Sequence, residues 1–230
     1  MIIFVGSQGV GKTTQARLLW KKLKSTGCDA HITSLIHYTI FHLKFISLLS
    51  RLCRKNAIII KFYEDLPPQA SPSPEIYRKV FGLLVILHFI GFVLSVIKQK
   101  LLMLFYDVLI EHEGYVFKQL ADLYYLARVV NVDSNSVAGK LLKFLTAFLL
   151  GSLIMIKYRI IYLQADYSSL KTRYLKRRTH IEPLDYISFQ NKIYNMLILG
   201  LNSLISGIVI KLDADRSIGK VHLDVISHVV

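Results

Sequence analysis

A chain of 230 residues is long enough for one domain with a substantial buried core, and two cysteines, Cys28 and Cys53, exclude a disulfide-stapled scaffold. Lys and Arg number 29 against 15 Asp and Glu, a balance that suits anionic partners: nucleotides, nucleic acid or an anionic membrane surface. The first apolar run starts at Ile2, which leaves no space ahead of it for a signal peptide, so reduced thiols in a cytoplasmic protein are expected.

That run, Ile2-Ile3-Phe4-Val5, reads as a strand and leads into Gly6-Ser7-Gln8-Gly9-Val10-Gly11-Lys12-Thr13. The octapeptide fits G-x-x-x-x-G-K-[ST] in the strand–turn–helix context this phosphate loop requires. Its glycines let the backbone approach phosphate oxygens, its amides form an anion nest, and the following helix adds the positive end of its dipole. Lys12 is expected on the β- and γ-phosphates of a nucleoside triphosphate and the Thr13 hydroxyl on Mg²⁺, with Gly6 to Thr14 as the nucleotide contacts.

Thr13 to Thr26 has the spacing of an amphipathic helix, with Ala16, Leu19, Trp20 and Leu23 on one side and Gly27 as its stop. Asp29 to Leu35 is a short strand, Ile36 to Leu52 a mostly apolar helix, and Leu66 to Pro74, with four prolines, a loop. Glu75 to Lys100 is a long helix whose centre, Phe81 to Ile97, has 17 residues without a formal charge, at the lower edge of what spans a bilayer. Spanning would separate Lys12 from the acids Glu111 and Glu113, and the basic flanks (Arg78, Lys79; Lys98, Lys100) give no orientation bias. A buried core helix is therefore expected, and Leu141 to Ile156 is a second apolar helix of the same kind.

Phe105 to Glu111 reads as a strand, Gly114 to Val130 as a helix and Asp133 to Gly139 as a polar loop. Then follow a strand at Arg159 to Leu163, a basic helix at Ser168 to Arg177, a helix at Pro183 to Leu199, a strand at Gly207 to Leu212, and a closing helix from Ser217. Strands alternating with helices behind a phosphate loop imply a parallel sheet covered on both faces. No internal repeat or second domain is visible. The chain reads as a single P-loop kinase-like domain over 1–230, with a lid at about 171–184 and apolar helical regions at about 36–55, 75–104 and 137–156.

Gly11-Lys12-Thr13-Thr14-Gln15-Ala16-Arg17-Leu18-Leu19 resembles the opening of the thymidylate kinase family, especially its apolar-rich archaeal relatives. Ile160 to Asp166 followed by Arg173, Arg177 and Glu182 is similar to that family's fourth strand and lid, and Asp213-Ala214-Asp215 with Ile218, Val221 and His222 to its last strand and closing helix. The resemblance implies the three-layer P-loop NTPase fold, a five-stranded parallel sheet with helices on both faces and an arginine-bearing lid. It also implies a nucleoside-monophosphate-kinase-like phosphotransferase that moves the γ-phosphoryl group of ATP, with Mg²⁺, to a nucleoside monophosphate or similar small acceptor. Catalysis is then positioning and charge neutralisation by Lys12, by Arg173 and Arg177, which share a helix face, and by Glu113, which with Thr13 would organise the metal. Glu111 is the rival of Glu113, two residues away on the same side of an extended chain.

Several positions depart from that pattern. Gly114 stands where the family places an arginine that holds the acceptor phosphate, Gln8 replaces an Asp, and Val5 a Glu. The Arg-Glu-Pro-Gly stretch after the second strand is absent; Thr33-Ser34-Leu35-Ile36-His37 stands there instead. Donor-side features survive and acceptor-side features do not. A second reading is therefore a nucleotide-binding module associated with the membrane surface, its acceptor chemistry lost or altered. The partners expected are a nucleotide donor and an unidentified small-molecule acceptor, with peripheral membrane contact and a homodimer as open alternatives and no nucleic acid. His31, His37, His42 and His88 read as core or surface histidines, and Tyr124 and Tyr125 as core packing.

Overall fold

The computed structural model describes residues 1–33, 74–155, 158–177 and 183–229. Within them run β1 (Ile2–Val5), α1 (Lys12–Ser25), β2 (Ala30–Thr33), α2 (Pro74–Leu102), β3 (Val108–Glu111), α3 (Tyr115–Val129) and α4 (Val137–Met155). The chain continues through β4 (Arg159–Gln164), α5 (Tyr167–Arg177), α6 (Leu184–Leu204), β5 (Val209–Asp213) and α7 (Ile218–Val229). The apolar helix expected at Ile36 to Leu52 and the proline-rich loop before Pro74 lie outside the described residues.

The five strands form one parallel sheet in the order β2-β3-β1-β4-β5. Its central strand is fully buried, and alternate side chains go to opposite faces, as the two-residue period of a strand demands. Ile3 and Val5 join Ile160 and Tyr162 under α2, α3, α4 and α6; Ile2 and Phe4 join Ile161 and Leu163 under α1, α5 and α7. The result is three layers. With β1 in the middle, the chain moves to one side for β2 and β3 and to the other for β4 and β5. The carboxyl ends of β1, β3 and β4 therefore meet at the switch point where α/β sheets bind ligands.

Three expectations change. β3 begins at Val108, because Phe105 N–H and Tyr106 N–H both donate to the Leu102 carbonyl in a turn that closes α2. α4 starts at Val137, where the apolar region at about 137–156 begins, and the polar loop expected to run to Gly139 ends sooner: Ser136 takes the Gly139 N–H on its Oγ at 3.1 Å as an N-cap. The third concerns α2, which is not a helix buried all round. Tyr77, Phe81, Leu84, Val85, His88 and Phe92 face the core, whereas Leu83, Ile86, Ile90, Leu94, Ile97 and Leu101 are exposed. α3 and α4 pack against the inner side of this helix, while the outward line stays exposed.

Candidate functional site

Directly after β1, the chain must turn away from the sheet within a few residues. Gly6 adopts φ 147°, and a Cβ there would lie 2.4 Å from the Leu163 carbonyl oxygen at the end of β4, so only glycine fits. The loop then feeds α1 through Gly11, which has no side-chain cap, and the first turn of α1 has no acidic residue. Uncapped N–H groups at a helix start, with no carboxylate to compete, leave a cradle for an anion. The Lys12 ammonium hooks back over the loop, donating to the carbonyls of Gly6 at 2.7 Å and Ser7 at 2.9 Å. Thr13 is exposed in the first turn and Thr14 half-buried beside it.

Neighbouring elements brace this loop. Ser7 Oγ donates to Asn191 Oδ1 of α6 at 2.9 Å, and the buried Tyr174 donates from its hydroxyl to the Gln8 carbonyl at 2.9 Å. Arg173, one residue earlier on α5, donates to the carbonyls of Val10 at 3.3 Å and Ala214 at 2.6 Å, so it ties the phosphate loop to the segment after β5. Its guanidinium thus lies against the loop backbone. Arg177 closes α5 and its side chain is not among those described, nor are residues 178–182 of the expected lid.

The two acids separate. β3 pairs with β1 so that Glu111 lies opposite Ile3, and with β2 so that it lies opposite Thr33. Only 1% of Glu111 is exposed, and its carboxylate accepts the N–H groups of Glu113 at 2.9 Å and Gly114 at 2.8 Å. Burial drives its pKa from 4.5 up to about 7; the two backbone bonds oppose this, the charge of Glu113 adds to it, and the Lys12 ammonium pulls it back. Glu113 is half-buried and faces His112 Nε2 at 3.7 Å, while His112 Nδ1 lies 3.2 Å from the Thr33 carbonyl oxygen. Of the two acids, Glu111 is the one that the fold buries and fixes on the turn at the end of β1, while Glu113 stays half-buried.

Gly114 explains its own departure from the family pattern. Its φ is 61°, and a Cβ would come within 2.9 Å of the Phe4 carbonyl oxygen and 3.1 Å of Val5 Cα. The backbone of the turn rests directly on the end of β1, so no arginine can stand at this position without moving the loop. Gln8 gives its backbone carbonyl to Tyr174, and Val5 is fully buried in the core, so neither offers an acid to the site. Nothing in the sequence spacing marks Asn191, and Tyr174 stands beside Arg173 with no motif of its own.

Beyond the loop, a polar seam runs between α3 and α6. Tyr186 donates to the Asp122 carboxylate and accepts from Gln190 Nε2 at 3.2 Å, one residue before Asn191. Burial raises the Asp122 pKa, against the pull of Lys118 and of the Tyr186 bond. No local pattern marks this pairing, because its members come from two helices more than sixty residues apart in the chain.

No family model matches the chain, and no curated protein matches its sequence. Among solved structures, the deoxyadenosine kinase from M. mycoides with bound dATP matches with a TM-score of 0.53, over 98% of this chain and 97% of that one, at 16% identity. A likeness at that identity shows the fold: a P-loop kinase-like α/β architecture, as the resemblance to a kinase family implied in its coarser form.

Proposed function

We propose that the protein transfers the γ-phosphoryl group of ATP to a hydroxyl of a nucleoside or a similar small acceptor. The observation that carries this reading is the phosphate loop itself, with Lys12 folded over its carbonyls and the buried Glu111 carboxylate held through Gly114 against the end of β1, where that loop begins. Loop amides and Lys12 would bind the donor phosphates and hold them in line, which is most of what phosphoryl transfer asks of a protein. Arg173, already at the loop, would neutralise charge on the moving group; Arg177 is the candidate to join it. Thr13 and an acid at the end of β3, Glu111 or Glu113, would hold Mg²⁺ by their oxygen chemistry, and the ion would supply positive charge to offset that of the phosphates.

At a pKa of about 7, Glu111 is poised as a general base. The acceptor oxygen forms its bond to the γ-phosphorus, the bond to the bridging oxygen breaks, ADP leaves with that electron pair, and the acceptor proton passes to Glu111. Gly114 supports a neutral acceptor over a nucleoside monophosphate. The position that would carry an arginine for the acceptor phosphate is closed to any side chain. The structural likeness to a deoxyadenosine kinase supports the same choice. A cytoplasmic setting follows from ATP as donor.

Labelled ATP offered with nucleosides and nucleoside monophosphates side by side, with Lys12→Ala as control, tests the reading. Product from nucleosides that disappears in the variant is expected. No product from any acceptor overturns the kinase reading, and product from monophosphates alone overturns the choice of a neutral acceptor.

A further inference from the structure

The outward stripe of α2 is a built feature. Leu83, Ile86, Ile90, Leu94, Ile97 and Leu101 recur three or four residues apart, so they form one line opposite the buried face; Ile90 is 49% and Ile97 50% exposed. Alongside runs α4. Gly82 abuts Ala138 and Leu141, and further on Phe89 meets Phe148 edge-on at 5.0 Å, so the two helices point the same way. α4 adds Phe144, 60% exposed, and Phe148 to the same margin. An exposed apolar surface of this extent marks an interaction site.

Both helices are long and apolar enough to cross a membrane, over Tyr77–Leu102 and Val137–Ile154. Their packing sets them along a membrane instead of through one. The inner face of α2 is locked to the core, with His88 Nδ1 3.0 Å from Gln119 Oε1 of α3 and Gln99 taking the hydroxyl of Tyr158. The strands on either side of α2, β2 and β3, are also neighbours in one sheet.

We propose that the α2–α4 face docks on an anionic lipid bilayer, with both helices lying in the plane of the interface. Charge selects this occupant. Arg78 and Lys79 stand at one end of the stripe, Lys98 and Lys100 at the other, and Lys140 and Lys143 on α4, against the single acid Glu75 on these two helices. A second copy packed along α2 would set cations against cations: antiparallel, Arg78 and Lys79 would meet Lys98 and Lys100; parallel, each cluster would meet itself. Anionic headgroups neutralise both ends at once while the apolar line enters the acyl boundary. The inference does not rest on the catalytic reading, since it uses no residue of the site.

The test is flotation of the full chain with vesicles of phosphatidylcholine alone and of phosphatidylcholine mixed with phosphatidylglycerol. The protein should rise with the mixed vesicles and scarcely with the neutral ones. Each isoleucine removed from the stripe should lower the partition coefficient about tenfold, so Ile90→Ser/Ile97→Ser should stay at the bottom. Lys140→Glu/Lys143→Glu, which keeps the apolar stripe, should bind mixed vesicles at least about tenfold more weakly. Wild-type protein that stays at the bottom with mixed vesicles overturns the proposal. So does equal flotation with neutral vesicles, or a dimer in solution that Ile90→Ser/Ile97→Ser dissolves, since that outcome assigns the face to a second copy.

Discussion

At the carboxyl ends of β1, β3 and β4, polar side chains are held by specific partners: Lys12 by the loop carbonyls, Tyr174 by Gln8, Ser7 by Asn191 and Glu111 by two backbone amides. In the α2–α4 layer, buried polar side chains are few, His88, Ser95, Gln99 and Thr146, and apolar residues face outward as well as inward. One region is fixed by directional bonds that tolerate little displacement; the other is fixed by non-directional burial, which leaves a face free for a further contact. The first region is where chemistry that needs sub-ångström positioning belongs. The second suits docking.

The largest way to separate the two regions is Lys12→Ala. It should lower phosphoryl transfer by about a thousandfold or more, with the melting temperature little changed, whereas Ile90→Ser should leave turnover of a soluble acceptor intact. Activity assays alongside thermal melts check both halves.

The two buried ionisable groups provide the next contrast. Glu111 in the site is raised from 4.5 to about 7, so its stabilising share is complete below pH 4.5 and lost as pH rises through 7. His88 in the helical layer is lowered by burial from 6.5 to about 4, with the Gln119 bond opposing, so its share is complete above pH 6.5 and lost as pH falls through 4. The two slopes oppose one another over nearly the same window. Denaturant titrations should find wild-type stability changing little between pH 4.5 and 6.5. Glu111→Gln should expose a rise with pH on the order of 3 kcal/mol, and His88→Gln a fall of similar size. Parallel slopes in the two variants would contradict the assignment.

Smaller effects follow from the glycines. Gly114→Ala adds a Cβ against Phe4 and Val5 at a positive φ and should cost about 1–3 kcal/mol. Gly151→Ala, in an exposed stretch of α4 with open space around it, should stabilise by up to ~1 kcal/mol. Chemical denaturation of both variants shows whether the site turn is strained and the helix merely permissive. Smallest is Tyr174→Phe, which removes the hydroxyl bracing Gln8: a loss of about 1 kcal/mol in stability and a raised KM for ATP with kcat nearly unchanged, read from steady-state kinetics.

The phosphate loop was legible from sequence because its function depends on local geometry: Gly6, Gly9, Gly11 and Lys12 do their work within a few residues of one another, in a context of strand and helix that period alone reveals. The alternation of strands and helices gave the layered fold for the same reason. Choosing between Glu111 and Glu113 was beyond the sequence, since both lie at the end of one strand and only the turn onto Gly114 buries the first and leaves the second half-exposed.

By itself, the sequence determined a parallel α/β fold, its phosphate loop and a pair of helices too apolar for an ordinary surface, because each of these is written in local pattern and composition. Tertiary structure alone decided which acid is buried, why Gly114 excludes an arginine, that Tyr174 and Asn191 brace the loop, and which half of α2 remains outward. Each of those depends on residues distant in the chain being brought into contact. A hydrophobic stretch gives the amount of apolar surface, while the sheet and its neighbouring helices settle how much of that surface is already covered.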